Sequence, residues 1–250
     1  MEQELASLAS ATHGVVTREQ LLRAGITPGE IKQRLRTGAL LRVHRAVYRV
    51  GHRAPSVEAR YLASVWACGA GSLLCDAPAG HVFRLVKGPP PAPVVLTATE
   101  RRVAGVRTRH SRQIEPRDAT VWRGIPVTTI SRTLVDLAAT LGRDDLARAC
   151  HEAGVLYRTT PRDVAAVLAR RPRSPGAARL REILLGEVRV TLSALERRFL
   201  TRLREAGLVL PDTNRPAGGR RVDCRWPRHR LTVELDSYRY HHSRHAWVQD

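Results

Sequence analysis

Lysine, cysteine and long apolar stretches are all scarce in this sequence. Only Lys32 and Lys87 are lysines, so nearly all of the positive charge is carried by arginine. Cysteine occurs at 68, 75, 150 and 224, with no Cys-x-x-Cys pair and no spacing that suggests a disulfide framework. The expectation is reduced, mostly buried thiols. No apolar run is long enough to cross a bilayer, and the Met-Glu-Gln-Glu start lacks the basic-then-apolar pattern of an export signal. Neither membrane insertion nor export is indicated, and the expected location is the cytoplasm.

What is abundant is arginine. Forty-two Lys plus Arg against 23 Asp plus Glu leave a formal net charge of +19 over 250 residues. That balance favours a polyanionic partner, nucleic acid above all. A GC-rich genome also raises arginine content, so the placement of the charges has to carry the argument. The length gives room for two or three small domains.

Residues 221–242 form the most organised stretch. Residues 222–226 and 231–236 alternate as strands do and flank Pro-Arg-His-Arg, which predicts a β-hairpin. Val222, Cys224 and Trp226 then share one face with Leu231, Val233 and Leu235, while Asp223, Thr232, Glu234 and Asp236 share the other. A turn centred between Arg228 and His229 places Asp223 opposite Glu234, their Cβ atoms about 5 Å apart, with Asp236 two residues further along. Facing carboxylates repel unless a cation sits between them, and such oxygen donors suit Mg²⁺ or Mn²⁺, which can activate a water against a phosphodiester. The same register sets Arg221 opposite Asp236 and Arg225 near Glu234, so a solvated, salt-bridged face fits the pattern too.

Upstream, Ser193-Ala-Leu-Glu196 opens a helix with Leu195, Phe199 and Leu203 at helical spacing, ending at Gly207. Glu196 borders that apolar stripe; it also completes a Ser-x-x-Glu capping box with Ser193. Downstream, His241 or His242 can donate a proton or hold a phosphate beside the acids. With His245 and Cys224 they can alternatively make a zinc site, although Cys224 falls on the apolar face.

The order Leu-Glu-x-x-Phe-Leu, Gly-Leu, Asn-Arg-Pro, Arg-Val-Asp-x-x-Trp, Val-Glu-Leu-Asp-x-x-x-Tyr-His resembles the Vsr-like branch of the PD-(D/E)XK nucleases, over residues 191–250. The resemblance implies a restriction-endonuclease-like domain at 187–250 that continues past Asp250 with an Arg-bearing helix and a further strand. It implies Asp223, Glu234 and Asp236 around Mg²⁺ or Mn²⁺, Glu196 as the acid of the leading helix, His241 as the catalytic histidine, and hydrolysis of DNA. Ser237 stands where related sequences place Gly.

The first 52 residues read as three helices and a hairpin. A first helix carries Leu5 and Leu8 and ends near Gly14; Thr17-Arg-Glu-Gln20 is a capping box that opens a second. Thr27-Pro28-Gly29-Glu30 supplies an N-cap, a first-turn proline and the matching acid of a third, which runs to about Gly38. Residues 40–50 make two short strands. That is the layout of a winged helix-turn-helix, in which the third helix enters the major groove. Lys32, Arg34 and Arg36 are then the candidates to touch DNA from the helix, and Arg42, His44 and Arg45 lie in the wing. Val-Val-Thr-Arg-Glu-Gln-Leu and Leu-Arg-Val-His-Arg-Ala-Val-Tyr here resemble the N-terminal domain of the AbiEi antitoxins, which implies operator binding, transcriptional repression and a cognate toxin as partner.

Residues 53–186 read as a mixed α/β region that resembles the middle of AbiEi-like proteins. Residues 57–68 predict a helix and 88–93 a rigid Pro-rich connector. Residues 94–97 and 105–109 predict strands, and 124–139 a strand, turn and helix. Thr160-Pro-Arg-Asp163 caps another helix, and 170–176 reads as a linker. A capping or surface role is expected of Asp136 and of His110. The whole is expected to be an α+β or α/β multidomain chain. One function it supports is a metal-dependent endodeoxyribonuclease delivered by a DNA-binding domain. The alternative is an AbiEi-like repressor whose nuclease fold does no catalysis; RNA as substrate is a third option.

Overall fold

The computed structural model describes residues 2–51, 56–112, 114–184, 192–217 and 220–233. It is a mixed α+β chain with two compact units, Met1–Thr140 and Leu141–Asp250. The break anticipated after residue 52 falls inside the first unit, and the one after residue 186 inside the second.

The first unit opens with α1 (Glu2–Ala11), β1 (Val15–Thr17), α2 (Arg18–Arg23), α3 (Pro28–Thr37), β2 (Leu40–His44) and β3 (Val47–Val50). Both expected capping boxes are present: Thr17 and Gln20 exchange bonds at the start of α2, and Thr27 and Glu30 at the start of α3. The three strands form one antiparallel sheet in the order β1-β3-β2. Leu5, Val16, Leu21, Ile26, Ile31, Leu40 and Tyr48 close into a core between helices and sheet. The full burial of Leu21 alone removes a side chain from water at a gain of about 1.5–3 kcal/mol.

A second sheet follows. α4 (Val57–Ala67), β4 (Leu73–Leu74), α5 (Asp76–Val82), β5 (Val94–Thr97), β6 (Arg107–His110), β7 (Ala119–Trp122), β8 (Ile125–Thr128) and α6 (Ile130–Leu137) build a five-stranded mixed sheet in the order β6-β5-β4-β8-β7. The Pro-rich connector bends at Gly88 and Pro89 and is held by Tyr61, whose hydroxyl donates to Pro91 O at 3.0 Å. α4 touches β1, β2 and β3 and also β4 and β8, which is why the first 51 residues and the second sheet form one unit. The β7–β8 turn adds to this, since His13 Nε2 lies 2.7 Å from Arg123 O.

Asp136 corrects the reading from sequence. It neither caps a helix nor faces solvent; it is buried on α6 and bonded to Arg132 Nε through both oxygens at 3.2 Å. Arg132 reaches Asp118 at 3.2 Å with its other end, while Arg109 of β6 lies 3.3 Å from Asp136 and 2.5 Å from Asp76. Burial pushes the Asp136 carboxyl upward, and Arg132 and Arg109 pull it back. Burial also works against the Arg109 charge, but Asp136 and Asp76 more than offset it and hold the guanidinium above its ordinary value. His110 is exposed as expected, with Nε2 3.1 Å from Ala98 O.

The second unit contains α7 (Arg143–Tyr157), α8 (Pro161–Arg170) and α9 (Ala177–Leu184), then α10 (Leu192–Glu205), β9 (Asp212–Ala217), β10 (Arg220–Trp226) and β11 (Leu231–Val233). The Thr160–Asp163 capping box starts α8 as the sequence predicts. The hairpin pairs Cys224 with Val233, Arg225 with Thr232 and Trp226 with Leu231, the register that a turn centred between Arg228 and His229 requires. β9 completes a three-stranded antiparallel sheet in the order β11-β10-β9. Pro216 is tolerated in β9 because, among the described residues, that strand is at the edge. Cys224, Trp226 and Leu203 are buried together, with Phe199 edge-on to Trp226 at 6.4 Å and the indole N–H donated to Val209 O at 2.6 Å. Leu231, on the rung nearest the turn, stays exposed, so the apolar face is shorter than the alternation suggests.

Candidate nucleic-acid interface

α3 is set by its ends. Thr27 Oγ1 accepts the Glu30 N–H, and the Glu30 carboxylate accepts the Thr27 N–H and hydroxyl, each at 2.8 Å. Those bonds, the backbone one first, hold the Glu30 carboxyl below its usual range. Gly38 stops the helix at φ +81°, a conformation open to glycine without a Cβ penalty. Ile31 is buried in the core and Leu35 packs against it. The turn of the helix then leaves Pro28, Gly29, Lys32, Gln33, Arg36 and Thr37 exposed.

The three cations expected on α3 are not equivalent. Lys32 and Arg36 stand on the exposed side, where Arg36 donates to Gln33 Oε1 at 2.7 Å. Arg34 lies on the flank, its side chain 15% exposed and 3.9 Å from the Glu30 carboxylate. Gln33 is the residue the sequence reading passed over. Its place between Lys32 and Arg36 on one helical face was the available signal, and it carries an amide that can bond an adenine edge in two places.

The β2–β3 hairpin presents the remaining candidates. Its ladder is irregular between Arg42 and His44, and Ala46 turns the chain at φ +59°. Arg42, Val43 and Arg45 are exposed. The turn is tied to α2 by the Arg18 N–H, which donates to Ala46 O at 2.8 Å. His44 is half-buried, and loss of water holds its ring below the ordinary value, so it is uncharged at neutral pH. Phosphate attraction from this hairpin therefore rests on Arg42 and Arg45.

The residues proposed from sequence for metal chemistry are placed less fully. Glu196 lies in α10 and Asp223 in β10 between Val222 and Cys224. The side chains of these two, and Glu234, Asp236 and His241 altogether, lie outside the described residues. Among the described residues no three His, Cys, Asp or Glu side chains gather as a metal ion requires. Among them, too, no helix is long and apolar enough to cross a membrane.

An exposed basic helix face beside a basic hairpin is complementary in charge to a polyanion. In agreement, residues 3–51 match the model of a family described as a transcriptional regulator, AbiEi antitoxin. The match begins in α1 and ends just after β3, so it covers the elements that carry this surface and not the rest of the chain. No curated protein matches the chain.

Proposed function

We propose that this protein is a DNA-binding transcriptional regulator of the antitoxin type, with a winged helix-turn-helix over residues 1–52. The observation that carries the reading is the exposed Lys32–Gln33–Arg36 face of α3 with Arg42 and Arg45 on the adjoining hairpin, inside the stretch that resembles the regulator family. α3 lies in the major groove, where Gln33 reads base edges and Lys32 and Arg36 hold phosphates; Arg42 and Arg45 grip the backbone alongside. A cognate toxin encoded beside this protein is the partner that the same resemblance supports. The test is DNA retention by the full chain, measured by fluorescence anisotropy on DNA from upstream of its own gene. Replacing Lys32, Arg36, Arg42 and Arg45 with alanine should abolish specific binding; retention unchanged from the parent removes the reading.

A second reading attaches to the C-terminal part. We infer a Vsr-like nuclease domain over residues 187–250, with Asp223, Glu234 and Asp236 as ligands of Mg²⁺ or Mn²⁺, Glu196 as the acid of the leading helix and His241 as a proton donor. Its support is the hairpin register with Cys224 across from Val233, from which the facing of Asp223 and Glu234 was reasoned. Hard carboxylate oxygens suit such an ion, which would supply an activated water. Supercoiled plasmid incubated with Mg²⁺ or Mn²⁺ should be nicked by the parent and left intact by Asp223→Ala with DNA retention preserved. A parent that leaves plasmid intact with either metal sinks this second reading and leaves the first standing.

A further inference from the structure

Among the described residues β6 is an edge of the five-stranded sheet. Arg107 on the strand, Arg101 and Arg102 on the loop before it and Arg112 just after it are all exposed. No described carboxylate pairs with any of the four, whereas neighbouring Arg117 is paired with Glu115 at 2.6 Å. The loop is fastened to the strand: Thr108 Oγ1 donates to Arg101 O at 2.6 Å, and His110 Nε2 lies 3.1 Å from Ala98 O. The strand is fastened to the helices behind it, because Arg109 bonds Asp76 of α5 and Asp136 of α6. Arg107 and Ser111 turn their N–H groups inward to Pro93 O and Thr97 O, so among the described residues the result is four guanidiniums without a carboxylate partner beside the alternate, outward N–H groups of Thr108 and His110.

We propose that this edge is a second contact surface for double-stranded DNA, binding the phosphates that flank the segment held by α3. The proposal rests on the regulator reading and extends it. A second copy of this chain does not fit the edge, because like charges along a strand oppose edge-to-edge pairing. Guanidiniums and backbone N–H groups together are what phosphate oxygens take. β6 and β7 are separated by four strand steps, roughly 19 Å, and it is the β7–β8 turn that meets His13, in the turn between α1 and β1. Crossing that width takes about six base pairs of duplex at 3.4 Å each, so the edge acts only on DNA longer than the α3 contact.

The experiment uses the full chain and mixed-sequence duplexes of about 8 base pairs, closed by a hairpin loop, and of about 40 base pairs, with affinity followed against salt. In the edge variant Arg101, Arg102, Arg107 and Arg112 become Gln. Its salt slope should fall by about 3–4 on the long duplex, at about 0.9 per phosphate contact, with little change on the short one. The corresponding Arg→Lys variant should keep the parent's slope. A control losing four exposed arginines of the second unit, Arg158, Arg162, Arg173 and Arg181, should match the parent. An edge variant that matches the parent on the long duplex overturns the proposal, as does a control that loses as much. In either case a loss of binding by the α3 and hairpin variant leaves the regulator reading intact. If that variant binds as the parent does on both duplexes, the regulator reading falls and this proposal falls with it.

Discussion

Arg132 and Arg36 are the same residue used in opposite ways. Arg132 is 3% exposed and divides its guanidinium between Asp118 and Asp136, so its charge is spent inside the first unit. Arg36 is exposed on α3 and, among the described residues, bonds the amide of Gln33 with no carboxylate beside it, so its charge is available to an outside partner. The formal charge of +19 adds both kinds together and cannot tell them apart. Function follows the subset that the fold leaves in water, while the buried subset sets stability.

The comparison is broken most directly at Asp136. Asp136→Ala leaves Arg132 and Arg109 short of a partner in a buried setting, and the expected cost is about 3–5 kcal/mol in urea unfolding. The corresponding Arg36→Ala change should stay within about 0.5 kcal/mol. Equal costs at the two sites would erase the distinction.

Next comes the exposed set. Removing Lys32, Arg36, Arg42 and Arg45 together should lower the salt slope of DNA binding by about 3–4 while the unfolding midpoint holds. A shifted midpoint with an unchanged slope would mean these side chains serve the fold instead.

A smaller effect is expected at the start of α3. Thr27→Ala should cost about 1 kcal/mol. Because the Glu30 carboxyl is held below its ordinary value of 4.5, ionised Glu30 favours the folded state above that pH, and the contribution is lost as pH falls through the folded value. Stability curves of the parent and Thr27→Ala should therefore converge in acid; parallel curves would uncouple Thr27 from Glu30.

The smallest effect belongs to His44. Its folded value lies below 6.5, so the neutral ring favours the folded state, fully above pH 6.5 and less as pH falls below it. His44→Gln should remove that part of the acid loss and leave DNA binding at neutral pH unchanged. A drop in neutral-pH binding would show that the ring itself meets the DNA.

Legibility in the sequence followed the distance over which each feature is decided. The capping boxes at Thr17, Thr27 and Thr160 join residues three apart, and all three were readable. So was the hairpin register, which a four-residue turn between Trp226 and Leu231 fixes. β1 was not, because three residues become a strand only by pairing Val15 with Arg49 and Thr17 with Val47. Nor was β9, whose Pro216 argues against a strand until its edge position is known. On the candidate surface the exposure of Lys32, Arg36, Arg42 and Arg45 agrees with the helix-and-hairpin layout read from the sequence. Arg34 lies beside Glu30 through the four-residue step of the helix, whereas its low exposure depends on how the helix rolls onto its core.

By itself the sequence determined the local pieces: where α2, α3 and α8 begin, where α3 ends, and that basic side chains would crowd one small helix and hairpin. Side-chain hydrogen bonds over three residues and a glycine with no Cβ are enough for that. Only the tertiary structure decided that Asp136 is an internal counterion and that Arg107 stands, among the described residues, on the edge strand of a sheet. Those outcomes come from strands and helices far apart in the chain meeting and excluding water, which no local pattern records.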